Sequence, residues 1–406
     1  MSPEPFTITI PRETLADMYE RLAMTRWPDE IPGTGWEYGT NLVYLKELAY
    51  YWQNRFDWSA QETAINRFHH FRARIDGSGI HFIHEPAKGT CGIPLLLLHG
   101  WPATFTQMLK IIPFLTDPAE YGGNGNDSFD VVVPSLPGFG FSDRPASRGT
   151  GCTRVAEMLH TLMTQELGYR TYAVRASDIG VEIARHLAFT HPESIIGLHL
   201  SGATPQMGPP PVDLSPEELE FLGACQQFMM GEMAYVMLHA TKPQTLAFGL
   251  SDSPAGMAAW ITEKFRAWTD CGGNLEARFS KDELLTNLTI YWATGTIGSS
   301  CRIYYETLHT PSPSAGQRII VPTGMAQFRK DLVPACRAWE ERFYSIHHWT
   351  DFPLGGHFAE HEEPGLLASD MREFFRPLRL AEKKLREIPG PGRGNAPAGT
   401  TQQETK

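Results

Sequence analysis

No block of lysines and arginines occurs anywhere in the chain, and among its 406 residues 46 acidic side chains outnumber 35 basic ones, for a net charge of −11. That excludes a nucleic-acid partner, because binding to phosphates needs a basic stripe that releases counterions. Cysteine is sparse. Cys91, Cys152, Cys225, Cys271, Cys301 and Cys336 form no Cys-x-x-Cys pair, which removes metal knuckles and dithiol redox motifs. They read as reduced, mostly buried thiols, in keeping with a cytoplasmic location. No apolar run reaches the roughly eighteen residues of a membrane span, and Met1-Ser2-Pro3-Glu4-Pro5 has no basic region leading into an apolar core. Neither a membrane anchor nor a secretion signal is therefore expected. What is present is core material: with 42% hydrophobic and 11% aromatic residues the chain is not a disordered one.

Five regions are expected along the chain: a wrapping segment over 1–90, a first half of a catalytic sheet over 91–204, a helical lid over 205–317, the second half of the sheet over 318–389, and a disordered tail over 390–406. In the first, Phe6-Thr7-Ile8-Thr9-Ile10 reads as a short strand. Pro11 then opens a helix carrying Leu15, Met18, Tyr19 and Leu22 on one face and stopping before Pro28. A second helix is expected from Asn41 to Asn54, and Ile80 to His84 alternates as a strand. Beyond residue 90 short apolar strands alternate with helices, the pattern of a mostly parallel α/β sheet with chemistry at the strand C-termini. The strands expected are Pro94 to Leu98, Asp130 to Val133, Thr171 to Val174, Ile195 to Leu200, Ile319 to Pro322 and Ile346 to Asp351. Helices are expected over Thr153 to Leu167, Val181 to Thr190 and Gly365 to Phe375. After Pro209-Pro210-Pro211, the lid opens on the capping box Ser215-Pro216-Glu217-Glu218 and continues as a long helix to about Ala240.

The chemistry concentrates where strands end. Ala173-Val174-Arg175-Ala176-Ser177-Asp178-Ile179-Gly180 runs from a strand into a helix, a turn that can project one side chain from the top of the sheet if small residues stand two positions either side. Around Asp178 those flanks are Ala176 and Gly180. Around Ser177 they are Arg175 and Ile179, too bulky for the turn. The register therefore favours an aspartate nucleophile over a serine, although an aspartate here is also an ordinary helix N-cap. Leu97-Leu98-His99-Gly100-Trp101-Pro102 leaves a buried strand at a turn that aims the Trp101 N–H at a developing oxyanion, with the Ile179 N–H as its partner. Gly355-Gly356-His357-Phe358 places a histidine in a loop after the last strand. The run Glu360, His361, Glu362 and Glu363 behind it reads as a solvated helix start rather than a metal cluster. An acid is needed between nucleophile and histidine in the order Asp, acid, His of α/β-hydrolases, and Asp331 is the candidate.

In combination these motifs resemble an epoxide hydrolase of the microsomal type, with that group's N-terminal extension on an α/β-hydrolase fold. The resemblance runs to about residue 378. It rests on Thr25-Arg26-Trp27-Pro28, Phe56-Asp57-Trp58, Ile80 to His84, His99 to Pro102, Pro134-Ser135-Leu136-Pro137-Gly138-Phe139-Gly140-Phe141-Ser142, Tyr291 to Thr296 and Gly355 to Phe358. It implies Asp178 as nucleophile, His357 as base and Asp331 as acid. His99, Gly100 and Pro102 join Trp101 and Ile179 around the substrate, and two proton-donating lid tyrosines fall on Tyr235 and Tyr304, the second with Tyr305 as its neighbour. The reaction implied is epoxide and water to a vicinal diol through a covalent aspartyl ester, with no cofactor and no metal. A homodimer is left open. Two departures stand out: the family's Gly-Gly-Asp-Trp-Gly elbow is Ala176-Ser177-Asp178-Ile179-Gly180, which removes an aromatic wall, and its glutamate acid is the shorter Asp331. With Met229, Met230, Met233 and Met237 on the lid, the lost tryptophan points to an adaptable apolar pocket. The rival readings are a haloalkane dehalogenase, disfavoured because Ile179 stands where a halide-binding tryptophan is expected, and a ligand-binding pseudo-enzyme of the same fold.

Overall fold

The structure, a computed structural model, describes residues 3–89, 92–202, 211–333 and 335–387, with side chains as far as residue 379. Cys91, the Pro209-Pro210 pair and the tail from residue 390 lie outside the described residues. Nine strands among those described form one sheet: β1 (Glu4–Pro5), β2 (His70–Ile75), β3 (Ser78–Glu85), β4 (Ile93–Leu98), β5 (Phe129–Pro134), β6 (Tyr172–Ala176), β7 (Ile195–Leu200), β8 (Ile319–Lys330) and β9 (Tyr344–Gly356). Their order is β1-β2-β3-β5-β4-β6-β7-β8-β9. The first three strands pair antiparallel, with β3 antiparallel to β5, and the remainder pair in parallel. Fully buried β4, whose Ile93–Leu98 stretch is apolar throughout, lies between β5 and β6 with both faces covered. This is the α/β-hydrolase architecture that the alternation of strands and helices implies.

Phe6 to Ile10 is not a strand, contrary to its alternating sequence. The Phe6 N–H still donates to the His70 carbonyl at 2.9 Å, but beyond it side chains take the hydrogen bonds: the Ile8 N–H donates to Asn66 Oδ1 at 3.0 Å and the Ile10 N–H to Glu62 Oε1 at 2.8 Å. Helix Arg12–Ala23 follows, burying Met18 and Leu22, and helix Leu42–Asn54 is capped by Asn41 and buries Leu45, Leu48, Ala49 and Trp52. The helix expected over Thr153 to Leu167 is α-helical only over Cys152–Thr161 and widens to a π-helical turn at Leu162–Glu166.

Two strands run well past their expected ends. β8 continues through Pro322 and Gly324 to Lys330, and β9 through Pro353 to Gly356. Proline and glycine in mid-run read as strand breakers. Here the glycine is required by packing, since a Cβ on Gly324 would stand 2.9 Å from the Phe374 ring. The extra length matters because β8 and β9 stay paired to their tips, with Lys330 opposite Gly356.

The lid consists of helices Pro216–Glu232, Ala234–Thr241, Pro243–Asp252, Pro254–Trp268, Lys281–Thr294 and Ile297–Leu308. The expected capping box forms, Ser215 accepting from the Glu218 N–H at 3.2 Å and the Glu218 carboxylate from the Ser215 N–H at 2.7 Å. The single helix expected to reach Ala240 breaks at Met233, just beyond Gly231, whose low helix propensity weakens that turn. The N-terminal helices clamp the lid from outside. Trp52, fully buried, donates from Nε1 to Thr289 Oγ1 at 2.9 Å, and the Thr40 hydroxyl donates to the Ala259 carbonyl at 2.7 Å.

Removing the acceptor of that indole leaves a buried N–H unpaired. Thr289→Val should cost about 1–3 kcal/mol, read as a lower urea midpoint at unchanged m-value.

Candidate active site

Asp178 joins β6 to helix Ile179–Thr190 with φ 53° and ψ −132°, a backbone conformation rare for a residue with a side chain. Its carboxylate makes no capping bond to the helix. The turn is tight enough to dictate its neighbours. A Cβ on Gly180 would stand 2.8 Å from the Leu98 carbonyl oxygen, and one on Gly100 would stand 2.1 Å from Asp178 Oδ1. Ser177, by contrast, is buried, and no hydrogen bond reaches its hydroxyl.

The three residues expected as nucleophile, base and acid lie in one hydrogen-bonded line. His357 Nε2 is 3.3 Å from Asp178 Oδ2, and His357 Nδ1 is 2.7 Å from Asp331 Oδ1. Asp331 and His357 follow directly on Lys330 and Gly356, the last pair of the β8–β9 ladder, so strand pairing itself brings these two side chains together. Two backbone bonds steady them: the Leu332 N–H donates to Asp331 Oδ1 at 2.7 Å, and the His357 N–H to the Trp268 carbonyl at 2.9 Å. Burial works against a charged imidazole here, but the Asp331 and Asp178 carboxylates outweigh it and push the His357 pKa up to about 10.

On the other side of Asp178, the Trp101 N–H donates to Oδ1 at 2.9 Å. The Ile179 N–H begins the following helix and has no acceptor in a preceding turn. His99 holds the strand-end turn from below. Its Nδ1–H donates to the Gly100 carbonyl at 3.0 Å, its Nε2 accepts from the Leu136 N–H at 3.3 Å, and burial lowers its pKa to about 4, so it stays neutral. The Pro102 carbonyl accepts from Asn287 of the lid at 3.0 Å, and the Trp101–Pro102 peptide is cis.

The lid closes this site with aromatic rings. Tyr235 stacks on Trp101 at 5.0 Å between centroids, and Tyr304 stands edge-on to Tyr235 at 6.1 Å. Tyr305 points away, exposed and stacked on His309. Burial first, then neighbouring negative charge, raises both inward phenols well above 10, so they keep their protons. Trp268, which no sequence motif marks, forms a wall edge-on to His357 at 5.3 Å. Of the four methionines singled out on the lid, three belong elsewhere: Met229, Met230 and Met237 are exposed on its surface, so they do not build the adaptable pocket expected of them.

The run after the histidine is also not solvated. Glu360 is fully buried. It receives Arg175 Nε at 2.9 Å on Oε1 and Gln107 Nε2 at 2.7 Å on Oε2. Glu362 is buried too, accepting from the Asp270, Gly356 and Phe358 N–H groups, and burial raises its pKa to about 7. Arg175 in turn donates to Ser201 Oγ at 2.8 Å, and Ser201 to the Ala326 carbonyl at 2.8 Å. The carboxylates expected to begin an exposed helix instead lock the histidine loop to the sheet.

Fold and elbow together define an α/β-hydrolase with aspartate, not serine, in the projecting position. Comparison with known proteins agrees and is more specific. The family model for the epoxide hydrolase N terminus matches residues 3–108, and that for the alpha/beta hydrolase fold matches 93–258. A Stigmatella aurantiaca protein provisionally named an epoxide hydrolase is 42% identical over 379 residues, covering 92% of this chain and 85% of that protein. Epoxide hydrolase 1 of Sus scrofa is 35% identical over 400 residues, covering 91% and 88%. The crystal structure of juvenile hormone epoxide hydrolase from Bombyx mori superposes with a TM-score of 0.86 at 31% identity, covering 94% of this chain and 96% of that one. The chain belongs to the epoxide hydrolase family, and it is a hydrolase; the dehalogenase and pseudo-enzyme readings are not favoured.

Arg175→Met should leave Glu360 charged, buried and without its cation, a loss of about 3–5 kcal/mol in unfolding free energy. Replacing Glu360 by Leu in the same protein should restore most of it, as measured by urea denaturation of the single and double variants.

Proposed function

We propose that this site hydrolyses an epoxide to a vicinal diol with Asp178 as nucleophile, His357 as base, Asp331 as its orienting acid, and Tyr235 and Tyr304 as donors to the ring oxygen. The observation that carries the reading is the unbroken line from the Trp101 N–H through Asp178 and His357 to Asp331. Asp178 attacks a ring carbon, and the C–O bond breaks. The ring oxygen departs as an alkoxide of basicity close to hydroxide, far more basic than a phenolate. A buried phenol keeps its proton against solvent yet yields it to such a base, leaving an aspartyl ester and a phenolate.

Ester formation also changes the histidine. While Asp178 is ionised, two carboxylates hold the proton on His357. Once Asp178 is esterified its charge is gone, the imidazolium loses one of its two carboxylate partners, and its proton becomes available to return the phenolate to phenol. Neutral His357 then takes a proton from water as it attacks the ester carbonyl. The oxyanion forms beside the Trp101 and Ile179 N–H groups, and its collapse releases the diol and restores the Asp178 carboxylate. His99, Gly100 and Pro102 act by holding the Trp101 turn.

The proposal extends to location. Among the described residues no helix is long and apolar enough to cross a membrane. Cys152, Cys225, Cys271, Cys301 and Cys336 are all buried free thiols, which supports a reducing, cytoplasmic compartment.

In a single turnover in heavy-oxygen water, the first diol released should carry unlabelled oxygen from Asp178; labelled first-turnover diol would sink the ester route. His357→Gln should accumulate the ester, seen as a mass increase equal to that of the substrate, with kcat lowered about 100- to 10 000-fold. The charge argument has its own check. In Asp178→Asn, where one of two carboxylates is lost, the His357 pKa should fall from its position near 10, followed by NMR titration of the imidazole.

A further inference from the structure

His239 has no part in the reaction above, yet it stands among the residues that do. It is four residues after Tyr235 on helix Ala234–Thr241, hence on the same helix face. Its ring meets Trp101 edge-on at 4.7 Å, Tyr304 at 5.0 Å and Tyr235 at 5.6 Å, closing a cage of four rings above the Trp101 N–H that holds Asp178. The side chain is completely buried.

The hydrogen bonds fix its tautomer. Trp260 Nε1, an indole nitrogen that can only donate, points its hydrogen at His239 Nε2 over 3.2 Å, and the Cys301 thiol lies 3.3 Å from the same nitrogen. Nε2 is therefore an acceptor. Burial lowers the ring's pKa to about 3, so at working pH it is neutral and its one hydrogen sits on Nδ1. No protein atom receives that hydrogen. A buried donor without an acceptor is costly, and native structures keep few of them. The Tyr304 hydroxyl in the same cage interacts with Tyr235 and not with His239, so the hydrogen on His239 Nδ1 stays without an acceptor.

An epoxide oxygen has two lone pairs, and Tyr235 and Tyr304 occupy both. A third donor needs a second oxygen. We propose that His239 Nδ1–H is a specificity-determining donor that binds an acceptor oxygen on the substituent next to the ring, so that the enzyme favours epoxides bearing an ether, carbonyl or hydroxyl oxygen over plain alkyl epoxides. This rests on the reading of the site as an epoxide hydrolase and narrows its substrate class. Trp260 and Cys301 are then positioning residues: they act through Nε2 to keep the hydrogen on Nδ1.

Glycidyl methyl ether and propyloxirane differ only by an oxygen in place of a methylene, so their kcat/KM ratio isolates this contact. The wild-type enzyme should favour the ether about tenfold, the worth of one buried neutral hydrogen bond. His239→Phe should abolish the preference by losing the ether while keeping propyloxirane within about twofold, and His239→Gln, which retains an N–H donor, should restore part of it. Equal loss on both substrates, or a ratio unchanged in His239→Phe, would overturn the proposal. A wild-type enzyme that turned over neither would count against the epoxide reading itself. The contact would then still be read from binding of the two corresponding diols, followed by quenching of tryptophan fluorescence, where absence of an ether preference in the wild type overturns it.

Discussion

One guanidinium ties together the parts that must meet for this site to exist. Arg175 lies on β6, three residues before Asp178, with no exposure to water. Through Glu360 it fixes the loop carrying His357, through Ser201 it reaches the end of β7 and the backbone of β8 at Ala326, and through Glu360 and Gln107 it touches the segment after Trp101. Strand ends are where a parallel sheet loses its own hydrogen-bond restraint, and where this fold places its chemistry. A buried ion pair adds little net stability over a well-packed apolar pair. What it supplies here is relative position: four chain segments from opposite ends of the sequence share one charged centre, so the loops cannot drift independently.

Backbone close approach does the complementary work at the elbow. With the space at Gly100 and Gly180 already filled by Asp178 and by β4, the Asp178 carboxylate is held against the Trp101 N–H by sterics rather than by flexible side chains. The Asp331–His357 pair is built by sheet extension, since β8 and β9 stay paired beyond the main body and deliver the two residues as neighbours. Three means of support, ionic, steric and ladder pairing, thus converge on a carboxylate and an imidazole 3.3 Å apart.

Much of this was legible in the sequence, and the pattern of success has physical reasons. Asp178 could be chosen over Ser177 because a sharp turn tolerates only small flanks, a rule that acts locally. Helix Leu42–Asn54 and the capping box at Ser215 are likewise local. Readings failed where a distant partner decides. Phe6 to Ile10 alternates like a strand but finds side-chain acceptors on Glu62 and Asn66. Pro322 and Gly324 look like breakers because the Phe374 ring that makes glycine necessary lies fifty residues away. Glu360 and Glu362 look solvated because their buried partners are Arg175 and backbone N–H groups that no spacing rule predicts. Trp268 and His239 carry no motif at all; only tertiary packing reveals that they face the same cage.

The bond between Trp52 and Thr289 spans 237 residues of chain. At a synthesis rate of about 5–20 residues per second, the N-terminal segment leaves the ribosome some tens of seconds before its partner is made. During that interval its helices have an apolar face and no lid to cover it. The clamp therefore cannot form until the lid has been made, and a chain stalled before that point would expose the tryptophan-rich surface that in the finished enzyme is hidden.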